Sequence, residues 1–164
     1  RLAELDPVAA GRIEPGNRRR VVRALEVTLG SGRRFSSFGP GVTAFPPTDA
    51  ALVGIRWRRH DLGRRIDRRV DAMIEAGLLD EVDRLRTVGL SPTAAQALGY
   101  KELLEHLHGH ATLGDAVAAI KLRTRQFAVR QERWFRRDPR IRWCDVDRDP
   151  VAEVAPAVVA ALRT

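Results

Sequence analysis

The longest regular pattern of apolar and polar positions spans residues 115–137, where apolar side chains recur in steps of three and four. This spacing predicts an α-helix of about 35 Å that packs one stripe inward. The stripe consists of Val117, Ile120, Thr124, Phe127, Gln131 and Trp134. Away from it lies a basic face formed by Arg123, Arg130, Arg133 and Arg137, with Lys121 and Arg125 on its flank. The pattern predicts a helix that is buried on one side and offers cations to an anion on the other.

The basic side of this helix is short of acidic residues. From Lys121 onward only Glu132 interrupts it. Basic helix faces normally alternate with glutamate, so the repulsion here requires either an external polyanion or an acidic neighbour in the fold. A solvated charged surface without any ligand is the remaining interpretation.

Similar spacing predicts shorter helices elsewhere. Asp6 and Pro7 begin a helix that continues to Arg12, since proline is tolerated in a first turn. A second helix covers residues 18–29, with an inward side formed by Val21, Val22, Leu25 and Leu29. A third covers residues 61–77, with an inward side formed by Leu62, Ile66, Val70 and Met73. Helices are also predicted at residues 78–88, 101–107 and 151–162.

Two short apolar runs, residues 50–57 and 141–146, have the β-branched members that are typical of buried strands. Each is followed by a helix, and this order predicts an α/β fold, predominantly helical, with part of a three-layer sheet. Residues 39–48 are too rich in glycine and proline for regular structure, which predicts a linker. We therefore divide the chain into a helical segment, residues 1–41, and an α/β segment, residues 42–164.

Composition adds a preference for polyanions. The 164 residues carry a formal net charge of +8, and the isoelectric point is near 11.1. Such a balance favours nucleic acid as a partner, with solubility as the plain alternative. Lys101 and Lys121 are the only lysines, so the positive charge is nearly all arginine, which suits bidentate phosphate contacts and base stacking. Biased codon usage in the genome explains the same arginine-rich composition without any ligand.

Other residue types narrow the chemistry. Cys144 is the only cysteine, which excludes an intrachain disulfide and favours a reducing cytoplasm. His106, His108 and His110 form a histidine tract, but no carboxylate or thiolate stands at metal-ligand spacing, so we expect surface histidines. No run of residues reads as a membrane span or a signal peptide, and we expect no membrane partner. Since the chain starts at an arginine, we interpret it as a segment of a longer protein.

Three segments together resemble one family. They are DPVAAGRIEPGNRRRVVRALEV at residues 6–27, LGYKELLEHLHG at 98–109 and TRQFAVRQERWFRR at 124–137. In this order and spacing they resemble the C-terminal half of the bacterial tRNA dimethylallyltransferase (tRNA isopentenyltransferase) family, and the resemblance extends over nearly the whole chain. It implies a cytoplasmic, monomeric enzyme that transfers a dimethylallyl group from dimethylallyl diphosphate to N6 of adenosine 37, beside the anticodon. It also implies Mg²⁺ and a P-loop type of sheet.

The resemblance implies contacts with the tRNA anticodon stem-loop from both segments of the chain, which makes residues 1–41 part of a helical tRNA-binding insertion and residues 42–164 part of a catalytic core. The implied contact residues are Arg19, Arg20, Val21, Val22, Arg23, Gln96, Ala97, Leu98, Gly99, Tyr100, Lys101, Arg125, Arg130 and Gln131. Gly99 permits close approach of the backbone. Tyr100 either stacks on a base or packs at the start of its helix.

The resemblance also implies a contact with diphosphate. The segment LGRRIDRRVDAM, residues 62–73, matches the family stretch whose arginine binds the diphosphate, and this assigns the catalytic role to Arg69 with Arg65 in support. Arginine suits the role because its planar fork binds two phosphate oxygens and stabilises the charge that develops on the leaving group. Without the resemblance, both are ordinary exposed helix charges.

Two parts of the family's machinery have no counterpart here. These are the phosphate-binding loop G-x-x-x-x-G-K-[ST] and the general-base aspartate. Residues 30–33, GSGR, lack the lysine and hydroxyl and follow a predicted helix rather than a strand. We therefore expect the loop, the base and the Mg²⁺ ligands in an N-terminal half of the same protein, and no catalysis by this chain alone.

Two other functions fit the same residues. One is a non-catalytic RNA-binding helical module that uses the same basic faces. The other is a structural segment whose basic surface pairs with an acidic remainder of its own protein. A glycine-rich phosphate loop encoded upstream distinguishes the transferase from both.

Overall fold

The structure of the chain is a computed structural model that describes residues 1–39, 41 and 44–162. It divides into two units, Arg1–Pro47 and Thr48–Thr164. The sequence places this division slightly earlier, after residue 41. Pro40, Val42 and Thr43, which belong to the predicted linker, lie outside the described residues.

The first unit is helical. Helix α1 spans Leu2–Leu5, α2 spans Pro7–Arg12, α3 spans Arg18–Ser31, and a 3₁₀ turn follows at Phe35–Phe38. Leu2, Ala9, Ile13 and Ala24 form its core. The buried Asp6 joins the unit's two ends, because its carboxylate caps α2 at the Ala9 amide and accepts from the amide and hydroxyl of Ser36.

The predicted inward side of α3 is half wrong. Val21 and Leu25 pack against the core as predicted, but Val22 and Leu29 are 44% and 55% exposed. Ala24 and Thr28 are the buried residues of the helix instead. Small side chains at these positions let the neighbouring helices approach closely, and a count of large apolar residues misses them.

The second unit contains five helices and two strands among the described residues. Strand β1 spans Val53–Trp57, α4 Arg59–Glu75, α5 Leu78–Val88, α6 Tyr100–Leu107, α7 Leu113–Phe135, β2 Arg142–Val146 and α8 Pro150–Ala161. A short 3₁₀ turn, Ala94–Gln96, precedes α6. Helices α4 to α7 enclose one core of Val70, Leu78, Val82, Leu103, Ala116 and Ile120.

The two strands pair in parallel, from Val53 opposite Arg142 to Trp57 opposite Val146. Gly54 lies opposite Trp143, whose ring covers the position that a side chain would occupy. The predicted class, α/β with a predominance of helix, is therefore confirmed at this level. The described residues form a two-stranded sheet, and the three-layer arrangement stays a prediction.

Two predicted stripes are corrected in this unit. On α4, Met73 is 39% exposed and Ile74 packs against the core. On α7, Val117, Ile120 and Thr124 are buried or half-buried, whereas Gln131 is exposed and Phe127 and Trp134 are about half exposed at 50% and 48%. Beyond Thr124 the helix packs through a different side, Ala128 and Val129, because its neighbours there are α4 and the strands.

No helix in the described part of the chain is long and apolar enough to cross a bilayer.

Candidate functional site

Helix α4 carries a row of three arginines along one groove. Arg65, Arg68 and Arg69 line a groove of about 410 Å³ together with Leu62 and Ile66. Within residues 1–39, 41 and 44–162, no acidic side chain pairs with any of these three arginines. The groove thus combines three available guanidinium groups with an apolar wall, which suits an anion that carries a hydrocarbon tail.

The orientation of this row follows from the opposite side of α4. Asp67 pairs with Arg125 of α7, and Asp71 accepts from Lys121 of α7 at 2.6 Å. These aspartates stand four residues apart and so share the face toward α7. Gly63 lies on the same face, where a Cβ atom would meet the Arg125 side chain at 3.6 Å. The two ion pairs consequently hold the free arginines on the outward side.

Arg65 is held by an aromatic ring. Its guanidinium carbon lies 4.1 Å from the ring centroid of Trp57, the last residue of β1. The contact is a cation–π interaction, which orients the guanidinium while leaving its charge unneutralised. The sequence does not indicate this role of Trp57, since nothing in a single strand residue shows which cation stacks on it.

A second cavity, of about 660 Å³, adjoins the same arginines through Arg65 and Arg68. Its other charges are largely paired, because Arg64 donates to Asp61 and Arg58 lies 3.2 Å from Asp147. The hydrogen bond from Arg64 lowers the pKa of the Asp61 carboxyl below its ordinary value. Arg65 and Arg68 line both cavities, and Arg148, which lines the second, likewise has no ion-pair partner among the described residues.

The predicted tRNA loop precedes α6. Gln96, Ala97 and Leu98 are exposed, whereas Gly99 is buried and has a φ of +96°, a conformation that glycine adopts most easily. Tyr100 packs against the core, and its hydroxyl donates to Glu81 of α5. This hydrogen bond raises the pKa of the Tyr100 phenol. Of the two roles considered for Tyr100, the structure favours packing at the helix start. Lys101 is half-buried.

The basic residues of helix α7 fall into two groups, those that pair with acidic residues of other helices and those that are exposed to solvent. In its middle, Lys121, Arg123 and Arg125 all pair with acidic residues of α4 or α6. Near its end, Arg130 and Gln131 are exposed, and their side chains have no ion-pair or hydrogen-bond partner in the described part of the chain. An acidic neighbour therefore relieves the first part of the basic face. Arg125 is a predicted tRNA contact whose guanidinium is already engaged by Asp67.

The basic cluster of the first unit surrounds a shallow cavity of about 480 Å³ on α3, lined by Arg18, Arg19, Val22, Arg23 and Glu26. Arg23 pairs with Glu26 at 3.3 Å, while Arg19 and Arg20 are exposed without such a partner among the described residues. The helix start is held by Asn17, which accepts from the amide of Arg20 at 3.2 Å. Val21 is half-buried and its amide donates to the Asn17 carbonyl oxygen at 3.0 Å, so its RNA contact stays a prediction.

The histidine tract has local partners. His106 Nδ1 lies 3.0 Å from the Ala111 carbonyl oxygen, and His110 Nδ1 lies 3.1 Å from a Glu105 carboxylate oxygen. Within the described residues, the structure brings together no group of three histidine, cysteine, aspartate or glutamate side chains that fits a metal ion.

Comparison with known proteins decides the family. The family profile described as IPP transferase matches residues 1–138. The chain belongs to this family. A curated relative named tRNA dimethylallyltransferase, from Desulforudis audaxviator, is 47% identical over 148 residues, covering 89% of the chain and 48% of the relative. The relative of that name from Paenarthrobacter aurescens is 45% identical over 166 residues, with 100% and 53% covered.

Solved structures of IPP transferase relatives share the fold. The tRNA delta(2)-isopentenylpyrophosphate transferase of Staphylococcus epidermidis matches with a TM-score of 0.68 at 33% identity, covering 99% of the chain and 53% of that protein. A eukaryotic dimethylallyltransferase acting on tRNA matches with a TM-score of 0.74 at 27% identity, covering 97% and 43%. The mostly helical architecture with a small parallel sheet is thus that of tRNA isopentenyltransferases. The chain spans about half the length of the curated relatives it matches.

Proposed function

We propose that this chain supplies diphosphate-binding and tRNA-binding surfaces to a tRNA dimethylallyltransferase that modifies N6 of adenosine 37. The observation that carries the proposal is the row of α4 arginines, Arg65, Arg68 and Arg69, which lie beside an apolar wall and have no acidic partner among the described residues. Dimethylallyl diphosphate combines the same two chemistries, an anionic head and a short hydrocarbon tail. The curated relatives carry the name of this activity over most of the chain.

In the proposed reaction the bond between the allylic carbon and the diphosphate oxygen breaks, and its electron pair leaves with the diphosphate. The N6 amine forms the new bond to carbon and loses a proton to a base that this chain does not contribute. Negative charge grows on the leaving oxygens, and a preorganised guanidinium stabilises it by several kcal/mol, on the order of 3 kcal/mol for one good donor. We assign this role to Arg69, with Arg65 in support one turn earlier.

The tRNA surfaces in this proposal are the exposed arginines of α3, the loop before α6 and the end of α7. An enzyme that modifies a base of the anticodon loop must first take that base out of its stack. Arg19, Arg20 and Arg130 bring cations to the phosphate backbone, since each is exposed and unpaired among the described residues. Gly99 and Tyr100 give the loop its shape.

The proposal requires a second half of the protein, with a phosphate-binding loop and a general base on a P-loop type of three-layer sheet. Mg²⁺ enters only as the family resemblance implies it, because the described residues offer no set of ligands. No step of this chain's chemistry is routed through it. The complete protein acts in this proposal as a cytoplasmic monomer.

The test is transfer of label from radiolabelled dimethylallyl diphosphate to a tRNA with adenosines at positions 36 and 37, by the longest polypeptide that the gene encodes. Labelled N6-dimethylallyladenosine at position 37 is the expected product. The second candidate is a non-catalytic RNA-binding module, which the unpaired arginines of α3 and α7 also fit. Binding of this tRNA without any transfer would establish the module in place of the enzyme.

A further inference from the structure

Glu102 is a carboxylate in the interior of the second unit. Its side chain is only 4% exposed, and it lies in the first turn of α6. One oxygen accepts from the backbone amide of Gly99 at 2.8 Å. The other pairs with the guanidinium of Arg123 on α7. A buried charge is retained only where it is paired and hydrogen-bonded, and Glu102 has both kinds of partner.

We infer that Glu102 and Arg123 are positioning residues for RNA recognition, which fix the loop at residues 96–101 in register with the RNA-facing end of α7. This inference rests on the proposed function and adds to it the pair of side chains that aligns two of its RNA surfaces.

Backbone hydrogen bonds hold the residues on both sides of Gly99, because the amides of Gln96, Ala97 and Lys101 donate to the carbonyl oxygens of Thr93, Ala94 and Ala97 at 3.2, 3.0 and 3.1 Å. Gly99, at the centre of the loop, has a φ of +96°, and its amide depends on Glu102 for a hydrogen bond. Glycine loses more conformational freedom than any other residue when it is ordered, so a loop that turns at glycine needs a fixed partner. The neighbouring Tyr100 fastens the helix start to Glu81 of α5. The carboxylate of Glu102 is thus the side-chain contact that holds the amide of Gly99.

Arg123 connects this turn with α7. It stands seven residues, about 10 Å along the helix axis, before Arg130. The charge of Arg123 is neutralised by Glu102, although the Arg123 side chain is 47% exposed. Arg123 therefore acts through Glu102 and does not itself need to contact RNA. Loss of Arg123 leaves the buried carboxylate of Glu102 without its cation. Water then competes for this carboxylate, and the hydrogen bond from the amide of Gly99 is weakened or broken.

The experiment compares steady-state transfer by the complete gene product with Arg123→Ala, Glu102→Gln and the double variant. We expect each single variant to raise the KM for tRNA about tenfold while the KM for dimethylallyl diphosphate stays within about twofold of wild type. The double variant is expected to be no worse than the worse single one, because both changes remove the same pair. Arg123→Lys, which keeps the charge, should recover part of the loss.

Arg56→Ala is the matched control. Arg56 of β1 pairs with Asp145 of β2, with one hydrogen bond of 2.7 Å, so its loss removes an ion pair between two elements that involves neither the loop nor α4. We expect its KM for tRNA to equal that of wild type. A purely structural role of Arg123 predicts another result, namely a smaller active fraction with both KM values unchanged, and that result would overturn the inference. Wild-type protein that neither transfers label nor binds the tRNA would instead refute the proposed function, and the inference with it.

Discussion

Arg125 of α7 pairs with Asp67 of α4, although 58 positions separate them in the chain. Two residues before it, Arg123 pairs with Glu102 of α6. The basic residues in the middle of α7 therefore stabilise contacts between helices, and the cations open to a polyanion are those near its end. This division makes the roles of individual arginines separable by mutation.

Arg69→Ala is expected to lower turnover by the complete gene product by about tenfold or more, with little change in tRNA affinity. The reason is that Arg69 lines the α4 groove without an acidic partner among the described residues, so its charge is available to the leaving diphosphate. Single-turnover transfer rates and tRNA binding measure the two quantities.

Arg64→Ala provides the control for Arg69. Arg64 belongs to the same helix and carries the same charge, but it donates to Asp61 and does not line the groove with Arg69. Its removal is expected to leave turnover near wild type. If Arg69→Ala also turns over at the wild-type rate, Arg69 has no part in the reaction.

Arg19→Ala combined with Arg20→Ala is expected to weaken binding of an anticodon stem-loop and to flatten its salt dependence. Each phosphate contact contributes about 0.7 to 0.9 to the slope of log affinity against log salt, so the slope should fall by about 1 to 2. Both arginines are exposed and unpaired among the described residues. Titrations at several salt concentrations measure the slope.

A charge-matched control comes from α5. Arg84→Ala with Arg86→Ala removes the same net charge, and Arg86 is engaged by Asp83 at 2.6 Å. Equal slopes for this pair and for the α3 pair would mean that only net charge matters. A smaller slope for the α3 pair alone would locate phosphate contacts on α3.

The helices and strands were predicted well, because the residues that begin and end them lie next to them in the sequence. Asp149 and Pro150 begin α8, and Gly77 and Gly89 bound α5, as the sequence indicates. The inward faces were predicted less well, since a stripe of apolar residues is buried only where a neighbour covers it. Phe127 follows the helical spacing of Ile120 but lies beyond the part of α7 that the core covers, and it is exposed.

The candidate site shows the same limit. The spacing of Arg65 and Arg69 predicts that they share a face, and they line one groove. The cation–π contact of Arg65 with Trp57 and the ion pair of Arg123 with Glu102 were not predicted. Such pairs depend on how separate elements pack, which no local pattern records.

Gly54→Ala is expected to destabilise the second unit by about 1 to 3 kcal/mol, the usual cost of overpacking. A Cβ atom at this position would lie 2.7 Å from Trp143 Cε3 and 2.9 Å from Ile141 Cγ2. The ring would have to move from the face of the sheet. Urea unfolding followed by tryptophan fluorescence measures the change, since Trp57, Trp134 and Trp143 all belong to this unit.

Gly114→Ala is the contrasting substitution in the same unit. Gly114 is exposed in the first turn of α7, and the nearest atom to an added Cβ is Thr112 Oγ1 at 3.8 Å. Alanine in a helix is favoured over glycine by up to about 1 kcal/mol, so the urea midpoint should rise slightly. A midpoint for Gly54→Ala at or above that of wild type would show that the sheet has room at Gly54.

Asp6→Asn is expected to destabilise the first unit near neutral pH but not in acid. Burial alone raises the pKa of the Asp6 carboxyl, but hydrogen bonds from Ser36 and Ala9, with the charge of Arg34, outweigh it and leave the pKa below its ordinary value of 3.8. A carboxyl whose pKa is lower in the folded state stabilises that state above the unfolded pKa. This contribution is lost as the pH falls through the folded pKa.

Amide hydrogen exchange in α2 and α3 measures this effect, because the tryptophans report only on the second unit. At pH 7 we expect exchange roughly tenfold faster in Asp6→Asn than in wild type, equivalent to about 1.4 kcal/mol. Comparison at equal pH cancels the intrinsic rate, and the ratio should fall toward one as the pH falls through the folded pKa of Asp6, which lies below 3.8. Glu4→Gln, an exposed residue of α1 in the same unit, should leave exchange unchanged throughout. A ratio that stays constant from pH 7 down to the acid limit of the folded state would mean that Asp6 acts through its shape and not its charge.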